Sequence, residues 1–346
     1  MFQIGSRKLS RTCLPYIIAE ISANHCGDIT RAKQTIKAAA LSGASAIKIQ
    51  TYTPDTMTID SSKEDFQIKE GLGKGYSLYQ LYQEAHTPFE WHRELFEYAN
   101  HLGITLFSTP FDESAVDLLT KLNAPAYKIA SFELTDLELI KYVSKQGKPL
   151  LISTGMGSIE EIAEAVETVK KAGNQQILLF HCVSSYPAAT EQSNISNIKF
   201  LSKQFGAEVG LSDHTLTDLA STLSIAMGAV AIEKHFKLDN IESGPDASFS
   251  LNPGQFASLV ENCNNAWRAI GNEGFARAKS EEANKGFRRS LYFVRDIGSG
   301  QKITHSDVRR IRPGFGLEPK YYTDIIGKTL KRSVTSGDRV TWDDVY

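Results

Sequence analysis

The sequence lacks most features that mark a secreted, membrane-bound or nucleic-acid-binding protein. Its 346 residues include four scattered cysteines without a C-x-x-C pair, which argues against a disulfide framework or a structural zinc site. The formal net charge is −2, so no general field draws the chain to nucleic acid or to a membrane surface. No apolar run approaches membrane-spanning length, and residues 1–8 contain no apolar signal core. We therefore expect a cytoplasmic protein without nucleic-acid or membrane partners.

What the chain does have is a regular alternation of short β-branched runs and longer amphipathic runs. The predicted strands cover residues 16–22, 46–52, 104–110, 126–131, 149–155, 177–184, 208–214 and 229–236. The predicted helices cover about 30–41, 88–101, 113–122, 136–146, 158–172, 195–205, 217–227 and 253–270. Asp28, Asp112 and Ser158 stand where helix N-caps are expected. Eight strands, each followed by a helix, predict a (β/α)₈ TIM barrel rather than an open sheet.

Two segments depart from this alternation. Residues 54–85 form a long connection with three tyrosines, Tyr76, Tyr79 and Tyr82, which suits either a packed lid or interface or a plain core helix. From about residue 279 an internal repeat appears, in which residues 296–308 match 333–345 at Ser-Gly, Ile/Val-Thr and Asp-Val. We expect a catalytic barrel over 1–272, a polar linker over 273–286 and a small β domain over 287–346.

Ionisable and hydroxyl side chains cluster at the ends of the predicted strands, which meet at the C-terminal rim of a barrel. The rim residues are Glu20, Asn24, His25, Lys48, Gln50, Thr109, Lys128, Ser131, Glu133, Ser153, Thr154, Gly155, Ser184, Tyr186, Ser212, Asp213, His214, Glu233, Lys234 and His235. Many hydroxyls beside two lysines are suited to binding an anion. Any one of these side chains alone could be structural, and their joint occurrence on nearly every strand indicates an enzyme.

Two histidines at the ends of successive strands suggest a metal site. His214 and His235 suit a first-row divalent ion with positions left open for water and substrate. Such an ion acts as a Lewis acid on a carbonyl oxygen. The alternative is a pair of buried core histidines. His25 could contact substrate or support the site, whereas we expect surface positions for the remaining candidates, His86, His92, His101 and His305.

Taken in order, the rim motifs resemble those of the sialic acid synthase family. The matching segments are 18–25 (IAEISANH), 46–52 (AIKIQTY), 127–131 (YKIAS), 152–155 (ISTG), 210–214 (GLSDH), 232–236 (IEKHF) and 244–246 (GPD). The tail, with 312–314 (RPG), resembles the family's antifreeze-like (SAF, β-clip) domain. Residues 60–71 and 77–92 look most like the branch that makes pseudaminic acid. Ser184, where sialic acid synthases usually carry Asn, agrees with that branch, whereas residues 244–249 (GPDASF) are closer to the sialic acid synthase pattern.

The resemblance implies a transferase that condenses phosphoenolpyruvate with an N-acetylated amino sugar. It implies Mn²⁺ or Mg²⁺ on His214 and His235, and a catalytic or cation-stabilising role for Glu20. The phosphoenolpyruvate ligands implied are Lys48, Thr109, Lys128, Ser131, Ser153, Ser184 and Ser212. Glu133 or Asp246 would bind sugar hydroxyls, and Gln50 and Tyr186 are further substrate-binding candidates.

The family also implies an assembly, a homodimer with swapped SAF domains. In it, Arg312 of one subunit would reach the sugar in the site of the other.

Other functions stay open from the sequence. The sugar could be that of an N-acetylneuraminate or legionaminate synthase. A second possibility is a Schiff-base aldolase that uses Lys48 or Lys128 on pyruvate. A third is a carbohydrate-binding protein whose barrel is inactive.

Overall fold

Eight parallel strands close into a barrel in the computed structural model, which describes residues 2–69, 74–241 and 244–346. Two short antiparallel strands, β1 (Phe2–Ile4) and β2 (Arg7–Leu9), precede it. The barrel strands are β3 (Tyr16–Glu20), β4 (Ala46–Thr51), β5 (Thr105–Pro110), β6 (Tyr127–Ile129), β7 (Leu150–Ser153), β8 (Ile177–Cys182), β9 (Glu208–Asp213) and β10 (Ala231–His235). They follow one another around the barrel, and β10 pairs with β3 to close it. The predicted (β/α)₈ fold is confirmed.

Helices surround the strands. They are α1 (Ile29–Leu41), α2 (Pro54–Met57), α3 (Leu78–Ala85), α4 (His92–His101), α5 (Glu113–Lys121), α6 (Leu137–Ser144), α7 (Ile159–Lys171), α8 (Asn197–Phe205), α9 (Leu219–Ala226) and α10 (Pro253–Ile270). The predicted N-caps are confirmed, since Asp28 accepts from Thr30 N at 2.8 Å, Asp112 from Ser114 N at 2.7 Å and Ser158 from Glu161 N at 3.2 Å. Each cap satisfies an amide that the first helical turn leaves free.

Strand alternation gives the barrel wall two distinct faces. Toward the start of the strands the inward residues are apolar and form a cluster, called here the apolar floor, which includes Ile18, Phe107 and Phe180. A Cβ on Gly210 would lie 2.6 Å from a carbon of the Phe180 ring, so only glycine leaves room for that ring. The outward residues pack against the helices in a larger apolar core. Because side chains alternate with a period of two, the inward series continues upward into the polar strand ends.

The connection that follows β4 contains α2 and α3. Helix α3 contains no buried residue, so the core-helix interpretation of this segment is wrong. Its tyrosines instead make local contacts: the Tyr79 hydroxyl donates to Asp55 at 3.2 Å, and the Tyr82 ring packs edge-on against Tyr52 at 5.8 Å. The predicted branch motif over 60–71 ends in residues that lie outside the described part of the chain.

The chain divides into two compact units, Met1–Gly271 and Asn272–Tyr346. The second contains antiparallel strands β11 (Ser290–Phe293) and β12 (Val308–Ile311), the short helix α11 (Tyr322–Ile325) and its own apolar core. The sequence repeat becomes a structural one. Thr304 N donates to Asp307 at 2.7 Å and Thr341 N to Asp344 at 2.8 Å, and each aspartate also pairs with an arginine.

None of the helices within the described ranges combines the length and the apolarity needed to cross a bilayer.

Candidate active site

Four buried charged side chains form a layer directly above the apolar floor. Glu20 and Lys48, on neighbouring strands β3 and β4, form an ion pair. Glu233 on β10 lies 2.9 Å from the Lys128 ammonium and 3.7 Å from that of Lys48. Lys128 also lies over the Phe180 ring, 4.5 Å from its centroid. Closure of the barrel thus brings together two carboxylates and two ammonium groups from four strands.

The two carboxyl groups of this layer have opposite pKa shifts. Burial raises the pKa of Glu20 to about 7, although Lys48 opposes the rise. For Glu233 burial acts in the same direction, but Lys128 and Lys48 outweigh it and lower the pKa to about 2. Glu233 therefore stays ionised and holds both lysines, whereas Glu20 can exchange a proton near neutral pH.

The two lysines also differ. Burial would lower the pKa of Lys48, but Glu20 and Glu233 together raise it above its ordinary value. Burial lowers the pKa of Lys128, with Glu233 only partly compensating.

Hydroxyl groups surround these lysines. Lys48 Nζ donates to Thr109 Oγ1 at 3.1 Å, and Ser212 Oγ donates to Glu233 Oε1 at 3.2 Å. The Gly155 amide donates to Ser131 Oγ at 3.2 Å, and a Cβ on that glycine would collide with both Ser131 and Ser184. Ser153 is buried at the end of β7. Together they form a cradle of hydroxyls and ammonium groups with the chemistry of an anion site.

The predicted metal ligands lie side by side. The ring centroids of His214 and His235 are 5.5 Å apart. His214 Nδ1 is 2.9 Å from the Val183 carbonyl, which assigns its proton to Nδ1 and leaves Nε2 free as a ligand. His235 Nδ1 is buried and has no hydrogen-bond partner among the described residues. The Tyr186 ring contacts His214 in a tilted arrangement, with centroids 4.2 Å apart, and Phe249 lies edge-on to His235 at 4.8 Å.

This donor set fits a divalent ion that takes its remaining ligands from water and substrate. In the described ranges no group of three or more His, Cys, Asp and Glu side chains could hold a metal. The protein would therefore supply the two imidazoles and leave the other positions open.

Two further acids lie at the rim. Asp246 accepts from the Ser22 hydroxyl and from Ala23 N at 3.3 Å, and Gln50 Nε2 donates to Ser22 Oγ at 3.1 Å. Burial raises the pKa of Asp246. Glu133 Oε2 is buried without a hydrogen-bond partner among the described residues, and burial raises the pKa of Glu133 to about 7. Both acids can exchange hydrogen bonds with a polyhydroxylated ligand.

Comparison with known proteins assigns this site to a family. A sequence model described as NeuB family matches residues 35–274, and one described as SAF domain matches residues 288–345. The chain belongs to the NeuB family. It is 42% identical to the pseudaminic acid synthase of Campylobacter jejuni over 95% of this chain and 96% of that protein. It is 40% identical to the pseudaminic acid synthase of Helicobacter pylori over 96% of this chain and 98% of that protein.

A solved structure supports the same assignment. The spore coat polysaccharide biosynthesis protein SpsE of Bacillus subtilis is 31% identical, with a TM-score of 0.68 over 100% of this chain and 99% of its own. As a NeuB-family chain whose relatives are synthases, the protein is an enzyme of the transferase type, as the sequence predicted.

Within this NeuB-family barrel, the rim contains nearly every residue that the sequence analysis selected there. Arg312, the predicted site residue that the sequence places in the C-terminal domain, belongs to the second unit, where it is exposed just after β12 and before a cis Pro313. Its role stays a prediction.

Predictions for the other histidines had mixed outcomes. His101 and His305 are exposed, as expected. The surface position expected for His92 is wrong, because the first turn of α4 points its ring at the barrel, where Nε2 lies 2.7 Å from Thr51 Oγ1. His86 is half-buried, and burial lowers the pKa of His25, whose Nδ1 accepts from Gly27 N.

Glu233 is the main residue that sequence reasoning undervalued. It was recognised at the rim but not selected as a site residue, although it contacts both lysines and Ser212. The available signal was its position two residues before His235 on the same strand, which gives the two side chains the same inward direction.

We predict that Glu233→Gln lowers the rate at least ~100-fold, or about 2.7 kcal/mol in the barrier. The reason is that Lys48 and Lys128 would lose their shared carboxylate inside the barrel. Phosphate release from phosphoenolpyruvate measures the rate. Glu208→Gln is the matched control: Glu208 is the first residue of the neighbouring strand β9, at the end of the barrel away from the rim, so this variant should retain activity. A rate for Glu233→Gln within ~5-fold of wild type would contradict the assigned role.

A second prediction concerns pH. Between pH 4.5, the ordinary pKa of a glutamate, and about 7, the unfolded chain loses the Glu133 proton while the folded protein keeps it. The contribution of Glu133 to the free energy of unfolding therefore falls as pH rises through this window, by about 2 kcal/mol, and is level above it. In urea unfolding at pH 5 to 8, the free energy of unfolding of Glu133→Gln should rise relative to that of wild type by this amount as the pH increases. Glu138→Gln, which removes an exposed carboxyl group, is the control variant, and parallel profiles for wild type and Glu133→Gln would refute the shift.

Proposed function

We propose that the protein is a pseudaminic acid synthase, which condenses phosphoenolpyruvate with 2,4-diacetamido-2,4,6-trideoxy-L-altrose and water. The products are pseudaminic acid and phosphate. The observation that carries the proposal is the juxtaposition of a lysine and hydroxyl cradle with two open imidazoles inside one barrel. The similarity to two pseudaminic acid synthases over nearly the whole chain selects the sugar.

In the proposed mechanism the cradle binds phosphoenolpyruvate. Lys48 and Lys128 supply the positive charge, and Thr109, Ser131, Ser153 and Ser184 donate hydrogen bonds to the carboxylate and phosphate oxygens. Ser212 would join them by turning its hydroxyl from Glu233 to the substrate. Ammonium groups and hydroxyls held in a buried site bind an anion more strongly than they would in water, because the surroundings screen them less. This fixes the enol carbon for attack.

The condensation then proceeds in three steps. The enol carbon, C3 of phosphoenolpyruvate, forms a bond with the aldehyde carbon of the open-chain sugar, whose oxygen keeps the π-bond pair and takes up a proton to become a hydroxyl, and C2 is left cationic. Water adds to C2, with Glu20 placed beside Lys48 and Gln50 to take the proton. The resulting tetrahedral centre collapses to the ketone as its hydroxyl proton passes to the departing phosphate and its bond to the phosphate oxygen breaks, so the cleavage is carbon–oxygen. Positioning of the two substrates supplies much of the rate.

The remaining substrate contacts involve the rim. His214 and His235 would hold Mn²⁺ or Mg²⁺, which when bound would polarise the aldehyde oxygen. Glu133 and Asp246 would bind the sugar hydroxyls, and Gln50 and Tyr186 would complete the sugar site. The contact of the Tyr186 ring with His214 supports this role, because it places Tyr186 at the same part of the rim.

We also propose the assembly that the family implies. A catalytic domain over 1–272 and an SAF domain over 287–346, joined by the linker 273–286, would exchange SAF domains in a homodimer. Arg312 would then contact the sugar bound to the partner, where its planar guanidinium can donate a pair of hydrogen bonds. The free thiols of Cys182 and Cys263 suit the reducing cytoplasm, where we expect the enzyme to act.

A sugar panel tests the proposed reaction. With phosphoenolpyruvate labelled by ¹⁸O at the bridging oxygen, the altrose substrate should release labelled phosphate, and EDTA should stop the release. Turnover only with N-acetylmannosamine or with the legionaminate precursor would assign the enzyme to those alternatives. Label retained in the sugar acid would refute carbon–oxygen cleavage. Borohydride trapping of a lysine would indicate the aldolase, and binding of sugar without turnover a carbohydrate-binding protein.

Mixed dimers test the exchange of domains. Arg312→Ala and His235→Ala chains should each be inactive alone. If Arg312 acts across the dimer, a mixed dimer contains one site with both wild-type residues, and activity returns to about a quarter of wild type when chains mix at random, because half of the dimers are mixed and each has one intact site of two. Heterodimers confirmed by mass spectrometry without recovered activity would exclude the swapped arrangement. Mixing Arg312→Ala with exposed Arg309→Ala, a neighbour on β12, controls for nonspecific effects.

A further inference from the structure

Among the described residues, a further fully buried ion pair lies on the outer side of the two strands that end in the imidazoles. Lys234 on β10 and Asp213 on β9 are opposite each other in the strand register. Lys234 Nζ is 2.9 Å from Asp213 Oδ2, and the two side chains are 0% and 2% exposed. Both point outward, toward α9, where the Ser221 hydroxyl donates to Asp213 Oδ2 at 2.6 Å. The condensation mechanism uses neither residue.

The pair binds the loop that follows β9. Asp213 Oδ1 accepts from Thr215 N at 2.9 Å. Lys234 Nζ donates to the Thr215 carbonyl and, at 3.0 Å, to that of Thr217. These contacts fix the backbone on both sides of position 215, immediately after His214.

Strand alternation connects this pair to the imidazoles. His214 follows Asp213 and His235 follows Lys234, so each imidazole faces inward from a backbone unit that the ion pair fixes on its outer side. His214 is also held by its own contacts, because its carbonyl accepts from Ala188 N at 3.0 Å and its Nδ1 faces the Val183 carbonyl. His235 Nδ1, in contrast, has no partner among the described residues.

Stability alone does not require charges at these positions. Desolvation of a buried ion pair offsets much of its attraction, and apolar residues of similar volume often replace such a pair without loss of stability. What apolar residues cannot provide is a set of directed hydrogen bonds from one strand to the loop of the next. The contacts of Lys234 with two loop carbonyls are of that kind.

We propose that Asp213 and Lys234 are positioning residues that set the spacing of His214 and His235 for a divalent ion. The proposal rests on the metal site proposed above. Outer partners that orient metal-ligating histidines commonly affect metal affinity by one to two orders of magnitude.

The test measures Mn²⁺ binding by electron paramagnetic resonance on the full chain. The double variant Asp213→Asn/Lys234→Met removes both charges and leaves neither one unpaired. We expect it to melt within about 5 °C of wild type and to bind Mn²⁺ at least ~10-fold more weakly. Its affinity for phosphoenolpyruvate without metal should stay within ~3-fold, because Lys48 and Lys128 are untouched. Thr51→Val/His92→Leu, which removes a buried polar pair at the end of another strand, β4, should leave Mn²⁺ binding unchanged.

A metal-free readout separates this proposal from the metal site itself. In protein labelled at histidine ¹³Cε1, the His214 signal, assigned with His214→Gln, should shift or broaden in the double variant and not in the control. Lys234→Arg keeps the charge but moves the donors, and should weaken Mn²⁺ binding at least ~3-fold. The proposal would be overturned if either variant, once shown to be folded, bound Mn²⁺ as tightly as wild type and gave an unchanged His214 signal. Absence of Mn²⁺ binding by wild type would refute the metal site, and the His214 signal would then decide the positioning role alone.

Discussion

The site depends on the burial of four charges in one layer of a barrel. Glu20, Lys48, Lys128 and Glu233 are almost completely shielded from water, and any one of them alone would be too costly to bury. They are compatible with the interior only as a balanced set, which the register of β10, β3 and β4 brings about. The opposite pKa shifts of the two glutamates follow from this arrangement, since Glu233 contacts two lysines and Glu20 one.

The two faces of each strand have different roles: inward residues form the site, and outward residues hold the surrounding backbone. Inward residues at the strand ends form the charged layer, the hydroxyl cradle and the imidazole pair. Outward residues near the strand ends hold neighbouring helices and loops through buried polar contacts, such as Thr51 with His92 of α4 and His181 with the Ser193 carbonyl. A one-residue slip of any strand would exchange these two sets. The apolar floor of Phe107 and Phe180 prevents such slips because its packing fits one register only.

Sequence patterns predicted the features that depend on local spacing. Strand and helix periods identified all eight βα units, and the abrupt polar endings of the strands identified the rim. The central role of Glu233 could not be predicted in this way, because it requires β10 to approach the lysines of β4 and β6 across the barrel interior. The surface position expected for His92 was wrong for a related reason. Packing decides which face of α4 meets the barrel, and the helical context of one residue does not reveal it.

The charge balance of the site also explains why the proposed reaction needs further cations. Two lysines already paired with two glutamates offer little net positive charge to a substrate that carries both a carboxylate and a phosphate. Binding such an anion inside the barrel therefore requires protonation of a carboxyl group or additional positive charge. Glu20, whose pKa of about 7 allows protonation near neutral pH, can provide the first while the anion binds, and loses this proton again before it accepts one from the attacking water. A divalent ion on the imidazoles and an arginine from the SAF domain would provide the second. Under this constraint the proposed metal and the proposed role of Arg312 would supply the positive charge that the two lysine–glutamate pairs of the barrel do not offer.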